Sequence, residues 1–262
     1  MAWPLLQEWQ GLKIVYTGEF AKALKWYPDL PVQFFVFDRA QGRHVATFIQ
    51  DQPFFCFHTI NAFDEGDDLV IDLAAYKNAK IVDSFTSTRA VSKELQKEKF
   101  DTMNSTFRRF RLANVPDAVS RFSLNMPDRE LPKVLPVFEI ACGIELPQIN
   151  PTYRHKKYQF AYGISSQNLD QHAHYFADAL VKVNLADQSF KVWSRKGYTP
   201  GEPIFVAKPN AKNEDDGLLL VLCLDGFGEK SLLVVLDACT FTEIASATVP
   251  SIVPFGFHGA FD

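Results

Sequence analysis

The strongest constraint on the fold is a series of short β-forming segments that follow one another at hairpin spacing. Runs of β-branched and aromatic residues begin at residue 32 and recur to residue 249, with Gly, Asp, Asn or Pro residues between them. The series includes residues 107–112 and residues 120–124. Such runs, bounded by turn residues, are typical of strands. About a dozen of them with little helix predict an all-β protein, which is a sandwich, a barrel or a propeller.

Two long apolar runs near the C-terminus favour the propeller among these architectures. Acidic residues 214–216 precede the apolar run 217–224, and Asp237 closes the next run, 231–237. An acidic turn followed by paired strands that are buried on both faces is common in propeller blades, although any two-layer β protein remains an alternative. Residues before the first strong run are only weakly patterned. We therefore divide the chain into an N-terminal segment, 1–30, and a β domain, 31–262.

Charge and composition argue against several kinds of partner. The 262 residues carry a net charge of -4, and no basic face for nucleic acid is indicated. No apolar run approaches the roughly 20 residues of a membrane span, and the N-terminus lacks the layout of a signal peptide. The cysteines form no CxxC pair and lie in apolar segments, as expected of reduced core thiols; they are Cys56, Cys142, Cys223 and Cys239. The sequence therefore predicts a cytoplasmic protein.

Two histidines lie in matching aromatic contexts. His58 lies in the apolar run 54–63, and His258 lies in the run 254–261. An imidazole in such a run needs a polar partner, because an unpaired buried polar group costs about 1–3 kcal/mol. A hydrogen bond to a backbone carbonyl in the core would explain each histidine alone. The two together favour a shared metal ion, since neutral imidazole is the commonest metal ligand.

The other histidines give weaker indications of a site. His44 and His155 stand beside charged residues and are predicted to be exposed. His172 and His174 form an HxH pair, which on a strand would put both rings on one face. The residues around that pair are typical of a loop, however, which argues against a ligand role.

Two glutamates lie in apolar, proline-flanked segments. Glu145 lies within residues 142–150, and Glu202 lies within residues 200–206. Ionised glutamates in such segments are rarely left without a partner. Each accepts hydrogen bonds either from backbone amides in a turn or from a metal-ligating histidine, whose tautomer it would then fix. The sequence has no nucleophile elbow, Walker loop, Rossmann glycine set or HExxH motif, so these histidines and glutamates are the main candidates for chemistry.

Five motifs follow one another along the chain, at residues 57–63, 145–150, 201–206, 214–217 and 255–259. In this order they resemble the carotenoid cleavage oxygenase family, in particular the animal branch of β-carotene oxygenases and the retinoid isomerohydrolase. The resemblance covers the chain from about residue 30 onward. It implies the C-terminal part of a seven-bladed β-propeller, about four blades, with a non-haem Fe(II) ion on the propeller axis.

The resemblance also implies roles for four residues. His58 and His258 would be two of the four histidine ligands of the iron, Glu145 would orient His58, and Glu202 would orient His258. The family's first two histidine ligands lie in a preceding half that this sequence lacks. A second histidine usually follows the ligand in the first motif, and Thr59 stands there instead.

The function that the resemblance implies is cleavage of a conjugated double bond by O2, which gives aldehydes or ketones. The substrate would be a carotenoid or apocarotenoid, and its lipid solubility implies peripheral membrane contact, in the cytoplasm or the mitochondrion. We therefore expect the C-terminal portion of an Fe(II)-dependent dioxygenase. The alternatives are a catalytically inactive truncated isoform or fragment, and a retinoid isomerohydrolase-like activity.

Overall fold

The computed structural model describes residues 26–84, 104–123, 130–167 and 177–261. Within these ranges the chain is built mainly from strands, and the prediction of an all-β fold with little helix is confirmed. The helical elements are α1 (Ile81–Ser84), α2 (Val115–Ser123) and a 3-10 turn at Pro151–Tyr153. The strands are β1 (Val32–Asp38), β2 (Arg43–Gln50), β3 (Phe55–Glu65), β4 (Asp68–Tyr76), β5 (Thr106–Leu112), β6 (Leu135–Ile140), β7 (Glu145–Gln148), β8 (Phe160–Ser165), β9 (Ala179–Asn184), β10 (Ser189–Ser194), β11 (Tyr198–Pro200), β12 (Ile204–Ala207), β13 (Gly217–Asp225), β14 (Lys230–Asp237) and β15 (Thr242–Thr248).

The strands form four antiparallel sheets, each from consecutive segments of the chain. We call them sheet A (β1–β2), sheet B (β3 to β6), sheet C (β7 to β10) and sheet D (β11 to β15). Sheets B and C are simple meanders, and in sheet D both β11 and β12 pair with β13. Antiparallel neighbours can be joined by short turns, which is the arrangement that the hairpin spacing predicted. Four blade-like sheets agree with the expected four blades of a propeller.

The hydrophobic core is divided into three clusters that lie between successive sheets. Sheets A and B enclose a phenylalanine-rich cluster that includes Phe34, Phe48 and Phe110. The cluster between sheets B and C, and the one between sheets C and D, are built mainly from aliphatic residues. Each sheet is therefore stabilised by burying apolar surface against the next, at about 25 cal/mol per Å² of apolar area removed from water. This face-to-face packing brings strand ends from different sheets together.

The structure corrects the prediction that residues 120–124 form a strand. Helix α2 extends through Ser123, and the preceding residues explain why. Asn114 accepts a hydrogen bond from the backbone N–H of Asp117, which satisfies a free donor of the first turn. Pro116 fits a first turn that needs no N–H donor, and Asp117 pairs with Arg121 one turn later.

A buried polar cluster clamps sheet B to the loop that leads into sheet C. Arg109 donates through Nε to Asp72 Oδ1 and through Nη2 to Asp72 Oδ2, each at 2.7 Å. The hydroxyl of Tyr158 donates to Asp72 Oδ2 at 2.6 Å. Asp72 is fully buried, so its charge depends on these donors. The cluster links residues that lie 86 positions apart in the chain.

We expect Tyr158→Phe to lower the free energy of unfolding by about 2 kcal/mol, because a hydrogen bond to a buried charged group contributes roughly 1.5–3 kcal/mol. Thermal and urea unfolding measure this loss. Tyr198→Phe is the control, since Tyr198 is buried but its hydroxyl has no hydrogen bond to the described part of the chain. Equal losses in the two variants would contradict the assigned role of the Tyr158 hydroxyl.

The cysteines agree with the sequence prediction in three cases and not in the fourth. Burial raises the pKa of Cys142 and Cys223 to about 12 and that of Cys56 to about 11, so these thiols stay protonated at neutral pH. Cys239 is exposed, because it lies in the turn between β14 and β15. In the described ranges, no helix has the length and apolarity that crossing a bilayer would require.

Candidate metal centre

His58 lies on β3 between two irregularities of the strand. The pairing of β3 with β4 shifts between Cys56 and His58 and again between Thr59 and Asn61. Each shift places two residues of β3 opposite one residue of β4. Such bulges bend a strand and redirect its side chains, and they are frequent beside active sites. On both sides of His58, therefore, the side chains of β3 do not alternate regularly between the two faces of the sheet.

The imidazole of His58 is held by a carboxylate from a different sheet. Its Nδ1–H donates to Glu145 Oε2 at 2.6 Å, and the same oxygen accepts the backbone N–H of Leu146 at 3.0 Å. Burial lowers the pKa of His58, whereas the hydrogen bond to Glu145 and the negative charges of Glu145 and Glu202 raise it. The net effect is a pKa above the ordinary value of histidine. Because Nδ1 carries the donated proton, Nε2 of the neutral ring is left with a free lone pair.

His258 has the same arrangement with a second carboxylate. Its Nδ1–H donates to Glu202 Oε1 at 3.0 Å, and the backbone N–H of Gly259 donates to Glu202 Oε2 at 2.8 Å. The side chain of Glu202 is only 4% exposed, whereas that of His258 is 60% exposed. The expectation of a core-like setting for His258 is therefore wrong, because this residue lies on a segment without regular secondary structure at the surface of sheet D.

The two histidine rings meet although they are 200 positions apart in the sequence. Their centroids are 5.2 Å apart, and the ring planes make an angle of 76°. Two imidazoles that share one metal ion through nitrogen bonds of about 2 Å have centroids roughly 5 Å apart, so the observed separation fits a shared ion. Imidazole ligands suit Fe, Zn, Cu and Ni ions. The chemistry of the pair therefore fits an iron ion bound through the two Nε2 atoms.

Within the described residues, no group of three or more His, Cys, Asp or Glu side chains could hold a metal ion. His58 and His258 are therefore the candidate ligands within the described part of the chain. The neutral thiol of Cys56 lies nearby in sequence, but its raised pKa of about 11 disfavours the thiolate form that binds metals.

Aromatic side chains surround the histidine pair. The ring of Phe57 is 40% exposed, lies 6.4 Å from His58 and packs edge-on against Phe55 and Tyr76. A cleft of about 110 Å³ borders the other histidine, and its lining includes His258, Glu202, Ile204, Leu222 and Phe255. The histidine pair therefore lies beside apolar surface, and the carboxylates of Glu145 and Glu202 that accept its hydrogen bonds are less exposed than the histidine rings.

The remaining histidines do not join this centre. His155 is exposed, as predicted. His44 is half-buried instead of exposed, because its ring packs at 4.7 Å against Phe122 of α2 and its Nε2 lies 2.8 Å from the carbonyl of Ala46. His172 and His174 lie outside the described residues.

Two polar residues of the site region were missing from the sequence interpretation. Buried Asn61 donates to the carbonyls of Tyr153 and Lys156 and accepts the backbone N–H of His155, so it fixes the loop after the 3-10 turn against β3. Gln148 donates to Glu202 Oε1 at 2.7 Å. The available signal was an amide side chain inside each of two of the five ordered motifs.

Comparisons with known proteins identify the family and the fold. A family model described as retinal pigment epithelial membrane protein matches residues 1–262. The torulene dioxygenase of Fusarium fujikuroi is 32% identical over 96% of this chain and 45% of its own length. The human mitochondrial carotenoid-cleaving dioxygenase is 30% identical over 92% of this chain and 45% of its own length. The chain thus spans about half the length of the curated relatives it matches.

Among solved structures, cobalt-substituted apocarotenoid oxygenase from Synechocystis matches with a TM-score of 0.73 and 24% identity. The match covers 91% of this chain and 45% of that protein. At this identity the likeness establishes the fold, and the four sheets are part of a β-propeller like that of the oxygenase.

Proposed function

This chain belongs to the retinal pigment epithelial membrane protein family, to which carotenoid oxygenases belong, and we propose on that basis that it forms part of a carotenoid or apocarotenoid dioxygenase. In this proposal it supplies His58 and His258 to a non-haem Fe(II) centre. The matched relatives are named as dioxygenases that act on torulene or carotenoids. The proposed reaction class is oxidative cleavage of a conjugated C=C bond by O2 to give aldehydes.

The observation that carries the proposal is the pair of histidine–carboxylate hydrogen bonds with the two rings in contact. Glu145 accepts from His58 at 2.6 Å, and Glu202 accepts from His258 at 3.0 Å. A carboxylate behind a ligating imidazole fixes its tautomer and orientation. Two such pairs that meet at one point are explained more simply by a shared ion than by two independent core hydrogen bonds.

Each residue has a separate task in the proposed site. Bound Fe(II) would supply the activation of O2 beside the polyene. His58 and His258 would hold the ion through Nε2, and Glu145 and Glu202 keep the proton on each Nδ1. Neutral imidazole ligands would leave the positive charge of the ion uncancelled. The aromatic surface at Phe57 excludes water and packs against an apolar substrate.

The proposed substrate also has a consequence for where in the cell the protein is found. A carotenoid or apocarotenoid is lipid-soluble, so we propose a cytoplasmic protein with peripheral membrane contact. Free cysteines among the described residues agree with a reducing compartment. One family relative is named as mitochondrial, and organelle fractionation of the expressing cells would distinguish the two locations.

A second candidate function is binding of an apolar polyene without cleavage. It is favoured by one observation, that only two imidazoles converge within the described part of the chain. Two histidines alone would hold iron weakly compared with a four-histidine site. In that case, the 262-residue chain would be a non-catalytic product.

Activity measurements on two proteins test these candidates. The 262-residue chain and the complete open reading frame that contains it are each supplied with Fe(II), O2 and an apocarotenoid, and aldehyde products are separated by chromatography. We expect the complete product to bind iron and cleave the substrate, and His58→Ala to abolish cleavage. A complete product that folds without iron or aldehyde formation would contradict the dioxygenase proposal, whereas cleavage by the 262-residue chain alone would contradict the non-catalytic one.

A further inference from the structure

The short strand β7 supplies polar side chains to both histidine–carboxylate pairs. Glu145, at its first position, accepts from His58. Gln148, at its last position, donates through Nε2 to Glu202 Oε1 at 2.7 Å. Glu202 is in turn the acceptor for His258. One strand thus contacts His58 directly and His258 through one intervening carboxylate.

A backbone irregularity makes this double contact feasible. Side chains three positions apart on a regular strand point to opposite faces. In β7, Glu145 lies opposite Ile164 of β8 and Gln148 lies opposite Tyr162, so one residue of β7 is extra and the two side chains share a face. Leu146 between them has a φ of 43°, a left-handed conformation that is strained for a non-glycine residue.

Glu202 needs the donor that Gln148 supplies. The carboxylate is almost completely buried, and a buried charge is tolerated only when hydrogen bonds replace its lost water. Its described donors are the His258 ring and the Gln148 amide on Oε1, and the backbone N–H of Gly259 on Oε2. His258 and Gly259 both lie on the C-terminal segment, so Gln148 is the donor that connects Glu202 to sheet C.

We infer that Gln148 is a positioning residue for His258, which it orients through Glu202. The inference rests on the proposed metal centre. Without the amide, Glu202 is free to rotate away from His258 Nδ1, and the His258 ring loses both its fixed tautomer and its fixed orientation. The bulge at Leu146 then has a clear consequence, because it lets one strand set the geometry of both histidines.

Gln148→Met is the main test, since methionine has a similar length and no hydrogen-bond donor. The first readout uses the metal-free chain, in which the ¹⁵N chemical shifts of His258 report the Nδ1–H tautomer. We expect a predominant Nδ1–H tautomer in the unaltered chain and a mixture of tautomers in Gln148→Met. The second readout is Co²⁺ affinity by calorimetry, which we expect to fall about tenfold, as is typical when a partner of a ligand is lost.

Three further variants separate positioning from a merely structural role. Gln159→Met is the matched control, because Gln159 bonds only to Asn184 through its side chain among the described contacts, and it should change neither readout. Gln148→Leu also lacks a hydrogen-bond donor, so it replaces Gln148→Met if that variant does not fold. In a Glu202→Ala background, Gln148→Met should have no additional effect, since coupled residues are non-additive.

The outcomes distinguish this inference from the proposed function. If Gln148→Met leaves the tautomer of His258 and the Co²⁺ affinity unchanged while His58→Ala weakens Co²⁺ binding, the inference is wrong and the metal centre stands. If neither the unaltered chain nor the complete open reading frame that contains it binds Co²⁺, the proposal of a metal centre fails, and the tautomer of His258 alone decides the role of Gln148. Additive effects of Gln148→Met and Glu202→Ala would also overturn the inference.

Discussion

Replacing Lys182 with methionine is expected to lower the free energy of unfolding by about 3–5 kcal/mol, the usual effect of removing one partner from a buried ion pair. Lys182 lies on β9, and its side chain is 6% exposed. Its ammonium group donates to Asp215 Oδ2 at 2.6 Å and to the carbonyls of Ala238 and Cys239 at 2.8 and 3.0 Å. Methionine preserves the apolar stem and leaves three acceptors without a donor.

The size of this effect follows from where the acceptors lie. Asp215 precedes β13, and Ala238 and Cys239 follow β14, so one ammonium group joins sheet C to two turns of sheet D. The ring of Phe160 lies 4.2 Å from the charge and excludes water from it. An uncompensated carboxylate in this position would draw water into the packing between the two sheets.

Thermal unfolding provides the measurement, and about 10 °C of lost Tm is the expected result for a chain of this size. Lys208→Met is the matched control, because Lys208 also pairs with an aspartate, Asp237, but its side chain is 46% exposed. An exposed pair contributes roughly 0–1 kcal/mol. Adding Asp215→Asn to Lys182→Met should recover part of the loss, since it removes the unpaired charge. Similar losses in Lys182→Met and Lys208→Met would show that the buried pair contributes no more than a surface pair.

Local sequence patterns were sufficient to predict most of the strands. The first β-forming run, which begins at residue 32, corresponds to β1, and the apolar runs 217–224 and 231–237 correspond to β13 and β14. These strands could be predicted because apolar runs and the turn residues that bound them are local features of the sequence. The strands that were missed are short or carry proline, namely β6, β7 and β11. Helix α2 was missed because its apolar residues were read with a strand period, although Asn114 and Pro116 marked its start.

Contacts across sheets could not be derived from spacing. His58 and Glu145 are 87 positions apart, and His258 and Glu202 are 56 positions apart. Their pairing was implied by resemblance to a family, and the structure places each pair within hydrogen-bond distance. The role of Gln148 depends on a bulge at Leu146, where φ is positive. A leucine in the sequence does not predict positive φ, because leucine rarely adopts that conformation. Burial of His258 was overestimated because aromatic neighbours in sequence do not guarantee packing in space.

The largest functional effect is expected from His58→Ala, which should weaken Co²⁺ binding by more than about 100-fold, beyond the range for loss of a residue behind a ligand. Its Nε2 is one of two nitrogen donors that converge within the described chain, and the His258 ring alone would leave a single bond to the ion. Glu145→Gln should have an intermediate effect of roughly 10–100-fold, because it removes the charge behind His58 and leaves the ligand in place.

A third variant controls for the loss of any histidine. His155 is exposed and has a φ of 61°, a left-handed conformation that asparagine tolerates better than most residues. His155→Asn should therefore leave both the fold and Co²⁺ affinity unchanged. The expected order of affinities is unaltered chain and His155→Asn first, then Glu145→Gln, then His58→Ala. Equal weakening by Glu145→Gln and His58→Ala would mean that the carboxylate itself binds the ion, and the histidine–carboxylate pair would then have to be reinterpreted as two ligands.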